Sequence, residues 1–173
     1  NNKKKLSILD IGTGSGCILI SLLSELKDSR GIGIDISKKA LETAKRNAVR
    51  HNLKGNLKFF KRSFLEIYSQ KFDLVVSNPP YIKTRVIRNL ESDVSEFEPF
   101  NALDGGNDGL DVIKKVIYKS REILKIKGLL ALEIGNEQNK EVSKILKKNS
   151  FRIKYTVKDY KDNVRCLISS REN

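Results

Sequence analysis

The sequence has no apolar run approaching the roughly 20 residues that a membrane-spanning helix needs, so no membrane association is expected. Its start, Asn1-Asn2-Lys3-Lys4-Lys5, runs straight into a strand-like Leu6 to Ile11. No apolar segment of the signal-peptide kind follows those lysines. Histidine occurs once, as His51, and cysteine twice, as Cys17 and Cys166. Neither cysteine belongs to a CxxC or Cys/His pattern, so no metal site is expected. Both are read as reduced, buried small hydrophobes in a cytoplasmic protein. There are no repeats and no low-complexity linker. Proline is scarce as well, at three residues, yet two of them stand side by side as Pro79-Pro80.

At 173 residues, with 39% hydrophobic and 32% charged residues, the chain is expected to form one α/β domain. Strand-like runs span Leu6–Ile11, Gly31–Asp35, Leu57–Lys61, Phe72–Ser77, Gly128–Gly135, Phe151–Val157 and Val164–Ser170. Helical patterns span Ser15–Leu26, Lys38–Arg50, Leu110–Leu124 and Glu137–Lys148. Ser37 is the expected N-cap of the second helix, and Asp108 or Asp111 that of the third. This alternation predicts a mostly parallel sheet with helices on both faces. The last two strands, joined only by a loop, should close it with an antiparallel hairpin. Between Ile82 and Asn107 lies a long stretch without clear periodicity. Such a stretch in a compact domain is usually functional, and it is expected to fold over the same pocket as the prolines before it.

Net charge is +13, from 34 Lys+Arg against 21 Asp+Glu. A charge of that size can attract nucleic acid. The lysines are scattered along the helices, however, and form no block beyond Lys3–Lys5, as in a solvated surface.

Two motifs carry chemistry. In the first, the run Phe72–Ser77 ends in Asn78-Pro79-Pro80-Tyr81. Two prolines cannot continue a sheet ladder. The chain therefore leaves the sheet in a stiff conformation, with an amide, a proline carbonyl and an aromatic ring at a strand's carboxyl end. Ligands of open α/β sheets bind at that edge, and a flat nitrogen-bearing group suits these three. In the second, the first strand ends in Asp10-Ile11-Gly12-Thr13-Gly14-Ser15-Gly16. The dinucleotide fingerprint would be G-x-G-x-x-G; here the third glycine comes one residue early and position 17 is Cys. An acidic residue before a G-x-G-x-G turn suits a cofactor with a cationic, amino-acid-like part, S-adenosylmethionine being the obvious case. Asp35 ends the second strand, where a carboxylate can accept from ribose hydroxyls; the plain alternative is a helix-capping carboxylate. Phe64, near the end of the third strand, could stack on an adenine or sit in the core.

With these residues in place, the chain resembles the catalytic domain of the class I S-adenosylmethionine-dependent protein-(glutamine-N5) methyltransferases, HemK-type enzymes that modify peptide chain release factors. The resemblance covers nearly the whole chain. It includes Phe97-Glu98-Pro99 and the run Ala102 to Leu110, a narrower signature than Asn-Pro-Pro-Tyr, which amino-methyltransferases of DNA and RNA share. It implies a Rossmann-like fold with a seven-stranded sheet. It further implies that Gly12, Thr13, Gly14, Ser15 and Gly16 wrap the cofactor's methionine moiety, Asp35 holds its ribose, and Phe64 borders its adenine, with Asn78 also at the cofactor. Asn78, Pro79, Pro80 and Tyr81 would bind the glutamine amide, with Asn78, Pro79 and Tyr81 catalytic and S-adenosylhomocysteine as product. The expected partner is a release factor and the expected state a monomer. The alternative is an N6-adenine or N2-guanine methyltransferase acting on nucleic acid, and a third reading is a binding module without chemistry. The family has an acidic residue where this chain has Ser63. It also carries an N-terminal helical domain with no counterpart here, so the chain is expected to be a catalytic fragment.

Overall fold

In the computed structural model the described residues are 5–53, 55–87 and 100–173, without the side chains of 100 and 101. The elements run β1 (Ser7–Ile11), α1 (Cys17–Glu25), β2 (Arg30–Asp35), α2 (Lys38–Arg50), β3 (Leu57–Lys61), a 3-10 turn (Phe64–Glu66) and β4 (Phe72–Ser77). Among the described residues there follow α3 (Thr84–Ile87), α4 (Phe100–Leu103), α5 (Asp111–Ile123), β5 (Leu124–Glu133), α6 (Asn139–Lys148), β6 (Phe151–Lys158) and β7 (Val164–Arg171). The seven strands form one sheet in the order β3-β2-β1-β4-β5-β7-β6. The first five in sequence pair parallel, and β7 runs antiparallel to both β5 and β6. The predicted parallel sheet with a closing hairpin is therefore present.

Successive side chains of a strand point to opposite faces, and β1 divides its apolar residues accordingly. Ile8 packs with Leu19, Ile20, Leu23 and Ala48 of α1 and α2. Leu9 and Ile11 face the larger core built with Ile113, Val116 and Ile117 of α5 and Val142 and Leu146 of α6. Helices thus cover both faces. Among the described residues no helix is long and apolar enough to cross a membrane.

The order reverses at β1, whose neighbours are β2 on one side and β4 on the other. Crossovers leaving opposite sides of such a pair part at the carboxyl ends of the strands, which opens a crevice there. The pairings Ile11↔Ile34 and Ile11↔Ser77 set the ends of β2 and β4 on either side of the end of β1. The motifs at 10–16, 35 and 78–81 consequently meet at one place.

Three local expectations are corrected. Leu124 starts β5 rather than ending the helix before it. It is fully buried and pairs with Phe72, and the register then slips so that Leu74 faces Leu129. The extra residues bulge out through Lys127 in the left-handed conformation, φ 62°. Neither Asp108 nor Asp111 is the N-cap of α5; that position is Leu110, whose N–H donates to the Asp108 side chain at 2.9 Å. Cys17 is exposed and Cys166 only half-buried, because Cys17 opens α1 on its outer side. Ser37 does cap α2, accepting from the Ala40 N–H at 3.2 Å.

Phe72 is fully buried where β4 meets β5. Phe72→Ala should lower the unfolding free energy by about 3–5 kcal/mol, measured from the denaturant midpoint.

Candidate active site

The turn after β1 is held from below by backbone. The Gly12 and Thr13 N–H groups both donate to the Ile34 carbonyl, at 3.0 and 2.9 Å. Asp35 then ties the turn to β2: its Oδ2 accepts from the Gly14 N–H at 2.9 Å and its Oδ1 from the Ser37 N–H at 2.8 Å. Asp35 is therefore both a local cap and part of the turn's frame. A carboxylate offers about four acceptor positions, so each oxygen keeps one for a ligand hydroxyl. Gly12 and Gly14 have φ of 69° and 55°, and a Cβ added at either would meet nothing within 4 Å. These two glycines present bare backbone to open space. Gly16 differs: a Cβ there would press on Ala44, Ile20 and Phe59 at 3.1–3.2 Å. Its missing side chain lets α1 pack on α2 and β3.

Asp10 is 1% exposed beneath this turn. Its Oδ2 accepts from the Thr13 hydroxyl at 2.7 Å, and its Oδ1 has no hydrogen-bond partner among the described residues. Burial pushes the carboxyl up to about 6; the Thr13 hydrogen bond opposes that shift and the charge of Asp35 adds to it. A buried carboxylate with one oxygen unsatisfied, under a glycine turn open above, is a receptor for a cation. That donor set fits the cationic amino-acid end of S-adenosylmethionine, and Asp35 fits its ribose.

Across the crevice, Ser77 is buried and its hydroxyl donates to the Ile11 carbonyl at 2.9 Å, latching β4 to β1 where both end. Asn78 beyond it is exposed, Pro79 buried, and Pro80 and Tyr81 half-buried. Among the described residues no hydrogen bond occupies the Asn78 side chain. Tyr81, by contrast, is held at both ends. Its hydroxyl donates to Glu133 Oε1 at 3.4 Å, and its carbonyl accepts from Gln138 Nε2 at 3.1 Å. The segment after it doubles back, with Ile82 bridging Asp104, and Thr84 donating from its N–H to the Gly106 carbonyl and from its hydroxyl to Asp104 at 2.7 Å. Both described ends of the 82–107 stretch thus sit beside the Asn-Pro-Pro-Tyr arm. Phe97, Glu98 and Pro99 lie outside the described residues.

A family model described as a methyltransferase domain matches residues 2–167. This chain belongs to that family. The methyltransferase domain is 40% identical over 171 residues to the release factor glutamine methyltransferase of Agrobacterium fabrum, covering 99% of this chain and 59% of that protein. It is 42% identical over 167 residues to the release factor glutamine methyltransferase of Fusobacterium nucleatum, covering 95% of this chain and 47% of that one. The chain thus spans about half the length of the curated relatives it matches. Among solved structures, a ribosomal protein L11 methylase from Lactobacillus delbrueckii subsp. bulgaricus shares the fold, with a TM-score of 0.71 at 23% identity, covering 99% of this chain and 72% of that chain.

The remaining predicted residues of the methyltransferase domain fall less sharply. Ser15 is exposed at the turn and its carbonyl accepts from the Asn47 side chain at 3.0 Å. Phe64 is half-buried in the 3-10 turn and packs on the main core. Ser63 caps that turn, accepting from the Leu65 N–H at 3.3 Å. His51 is exposed at the end of α2, away from the crevice. Sequence reasoning missed Glu133 and Gln138 altogether. One ends a strand and the other precedes a helix, and neither stands in a motif. Only the sheet order brings them to Tyr81.

The raised carboxyl of Asp10 has a defined pH signature. Because its folded value lies above the unfolded one, the stabilisation it brings is full below the unfolded value and is lost as pH rises through about 6. Asp10→Asn keeps an acceptor for Thr13 and removes the titration. In urea unfolding of the ligand-free domain, the variant should gain about 1 kcal/mol more over wild type at about pH 7.5 than at about pH 5. Equal differences at the two pH values would show that Asp10 is not raised.

Proposed function

We propose that this domain transfers a methyl group from S-adenosylmethionine to the side-chain amide nitrogen of a glutamine in a peptide chain release factor. The observation that carries this reading is the pairing of about 40% identity to release factor glutamine methyltransferases, over nearly the whole chain, with an exposed Asn78 amide at the carboxyl edge of β4. Residues 1–173 are read as the catalytic domain, working in the cytoplasm where a release factor is found.

S-adenosylmethionine supplies an electrophilic methyl group on a sulfonium. Gly12, Gly14, Asp10 and Asp35 would hold it, with Thr13 orienting Asp10 and Phe64 bordering the adenine. The glutamine amide is a weak nucleophile because its nitrogen lone pair is delocalised into the carbonyl. The domain's task is then chiefly placement, and well-oriented reactants remove several kcal/mol of barrier. The Asn78 Oδ1 accepts one N–H of the substrate amide and the Pro79 carbonyl accepts the other. Two acceptors on one NH2 fix its orientation, disfavour its planar resonance form and reject a carboxylate. Pro79 and Pro80 keep both acceptors at a set angle, because each fixes its own φ and restricts the residue before it. Tyr81 covers the amide plane. Asn78 is exposed, so the proton the nitrogen loses has an aqueous path.

The test offers the full-length protein labelled S-adenosylmethionine with release factor, the same factor with its acceptor glutamine replaced, and total RNA. Label on the intact factor alone is expected; label on RNA alone would overturn the reading. Asn78→Ala should cut transfer by about 10²-fold, with affinity for S-adenosylhomocysteine changed by no more than a few fold.

A further inference from the structure

The side chain of Gln138 joins three separate segments of the carboxyl edge. Its Oε1 accepts from the Gly135 N–H at 2.8 Å, and its Nε2 donates to the Tyr81 and Gly109 carbonyls, each at 3.1 Å. These partners settle the orientation of the amide, because a flipped group would set oxygen against two carbonyls and N–H against N–H. The three segments are the Asn-Pro-Pro-Tyr arm after β4, the 105–110 loop before α5, and the turn after β5. They are distant in sequence and share no other side chain in the described hydrogen bonds.

The backbone around Gln138 is arranged for this reach. Gln138 is the N-cap of α6, a position where Ser, Thr, Asp or Asn normally accepts from the helix's own N–H groups. Gln138 makes no such bond. Glu137 before it has φ 67°, a costly conformation for a residue with a side chain. Its partners leave no room: a Cβ on Gly109 would lie 2.5 Å from the Tyr81 carbonyl oxygen, and one on Gly135 would lie 2.9 Å from Gln138 Oε1 and 3.0 Å from the Tyr81 ring. Departures from local rules that serve no helix or strand mark sites where another function sets the geometry.

We propose that Gln138 is a positioning residue for methyl transfer, fixing the far end of the Asn78–Tyr81 arm against the 105–110 loop. The near end is latched where the Ser77 hydroxyl of β4 donates to the Ile11 carbonyl of β1, and between the two ends stand Pro79 and Pro80. A strut that stiff transmits displacement, so releasing the Tyr81 carbonyl moves the two acceptors at Asn78 and Pro79. Gln138 touches no reacting group in this scheme; it acts through Tyr81. The inference rests on the function proposed above.

Two variants of the full-length protein test it. Gln138→Met keeps length and volume and removes every hydrogen bond. Gln138→Glu keeps the acceptor for Gly135 and removes both donors. In each, kcat/KM for release factor should fall about 10- to 100-fold, while affinity for S-adenosylhomocysteine stays within a few fold of wild type. Hydrogen exchange should quicken over residues 81–84 and 105–111 and stay slow in β1 and β4. Near-wild-type kcat/KM in Gln138→Met would overturn the proposal. So would a loss of S-adenosylhomocysteine affinity in step with activity, since that would make Gln138 a general structural residue. A wild-type protein that labels no glutamine removes the functional reading, and this inference with it. A wild type that labels the factor alongside an unaffected Gln138→Met removes this inference alone.

Discussion

The parallel pairing of β1 with β4 is the constraint on which the rest of the site depends. It is where the order of the parallel strands turns round, so the crossovers leave to opposite faces and the strand ends stand clear of helix. The Ser77 hydroxyl on the Ile11 carbonyl fixes that pairing at its last residues. The register Ile11↔Ser77 then decides that the glycine turn and Asn78 begin side by side. A slip of one residue would turn Asp10 and Ser77 to the wrong faces, and neither motif would meet the other.

On this frame the two halves of the site are built by opposite physical means. The glycine side is backbone held by backbone, with two bare glycines open to a ligand and one buried charge beneath them. Its electrostatics are unfinished among the described residues, where Asp10 keeps an unsatisfied oxygen and a carboxyl raised by burial. A cation relieves both. The Asn78 side is finished: prolines, a latched serine and a doubly held tyrosine leave one exposed side chain free among the described residues. Preorganisation of that kind suits a reaction limited by orientation more than by reactivity.

Gln138 and Glu133 show how a site gains supports that no motif announces. Both reach Tyr81, yet they lie more than fifty residues beyond it. A glutamine ahead of a helix and a glutamate ending a strand are ordinary residues in a linear reading. Their role is created by β5 lying beside β4, and by the positive φ at Glu137 that aims the next side chain.

Much of the molecule was legible in the amino acids themselves. Short apolar runs marked the parallel strands, which helices bury on both faces, and helical periodicity marked the helices. Ser37 announced its cap, and the double proline announced the exit from the sheet at Asn78. Asp10, the glycines and Asp35 stood out by residue type and spacing, and they form one turn in which Asp35 accepts from the Gly14 N–H and Asp10 from the Thr13 hydroxyl. The tertiary structure decided what depends on neighbours remote in sequence. It parted Gly16, which packs, from Gly12 and Gly14, which face open space. It gave Asp35 a framing role beside its expected one, drew Leu124 into β5 to cover Phe72, and left Cys17 exposed where burial was expected. It also brought Gln138 to Tyr81. The physical reason is the same in each case: side-chain pattern sets an element's type, while its partners are set by sheet order and close packing, which no local pattern contains.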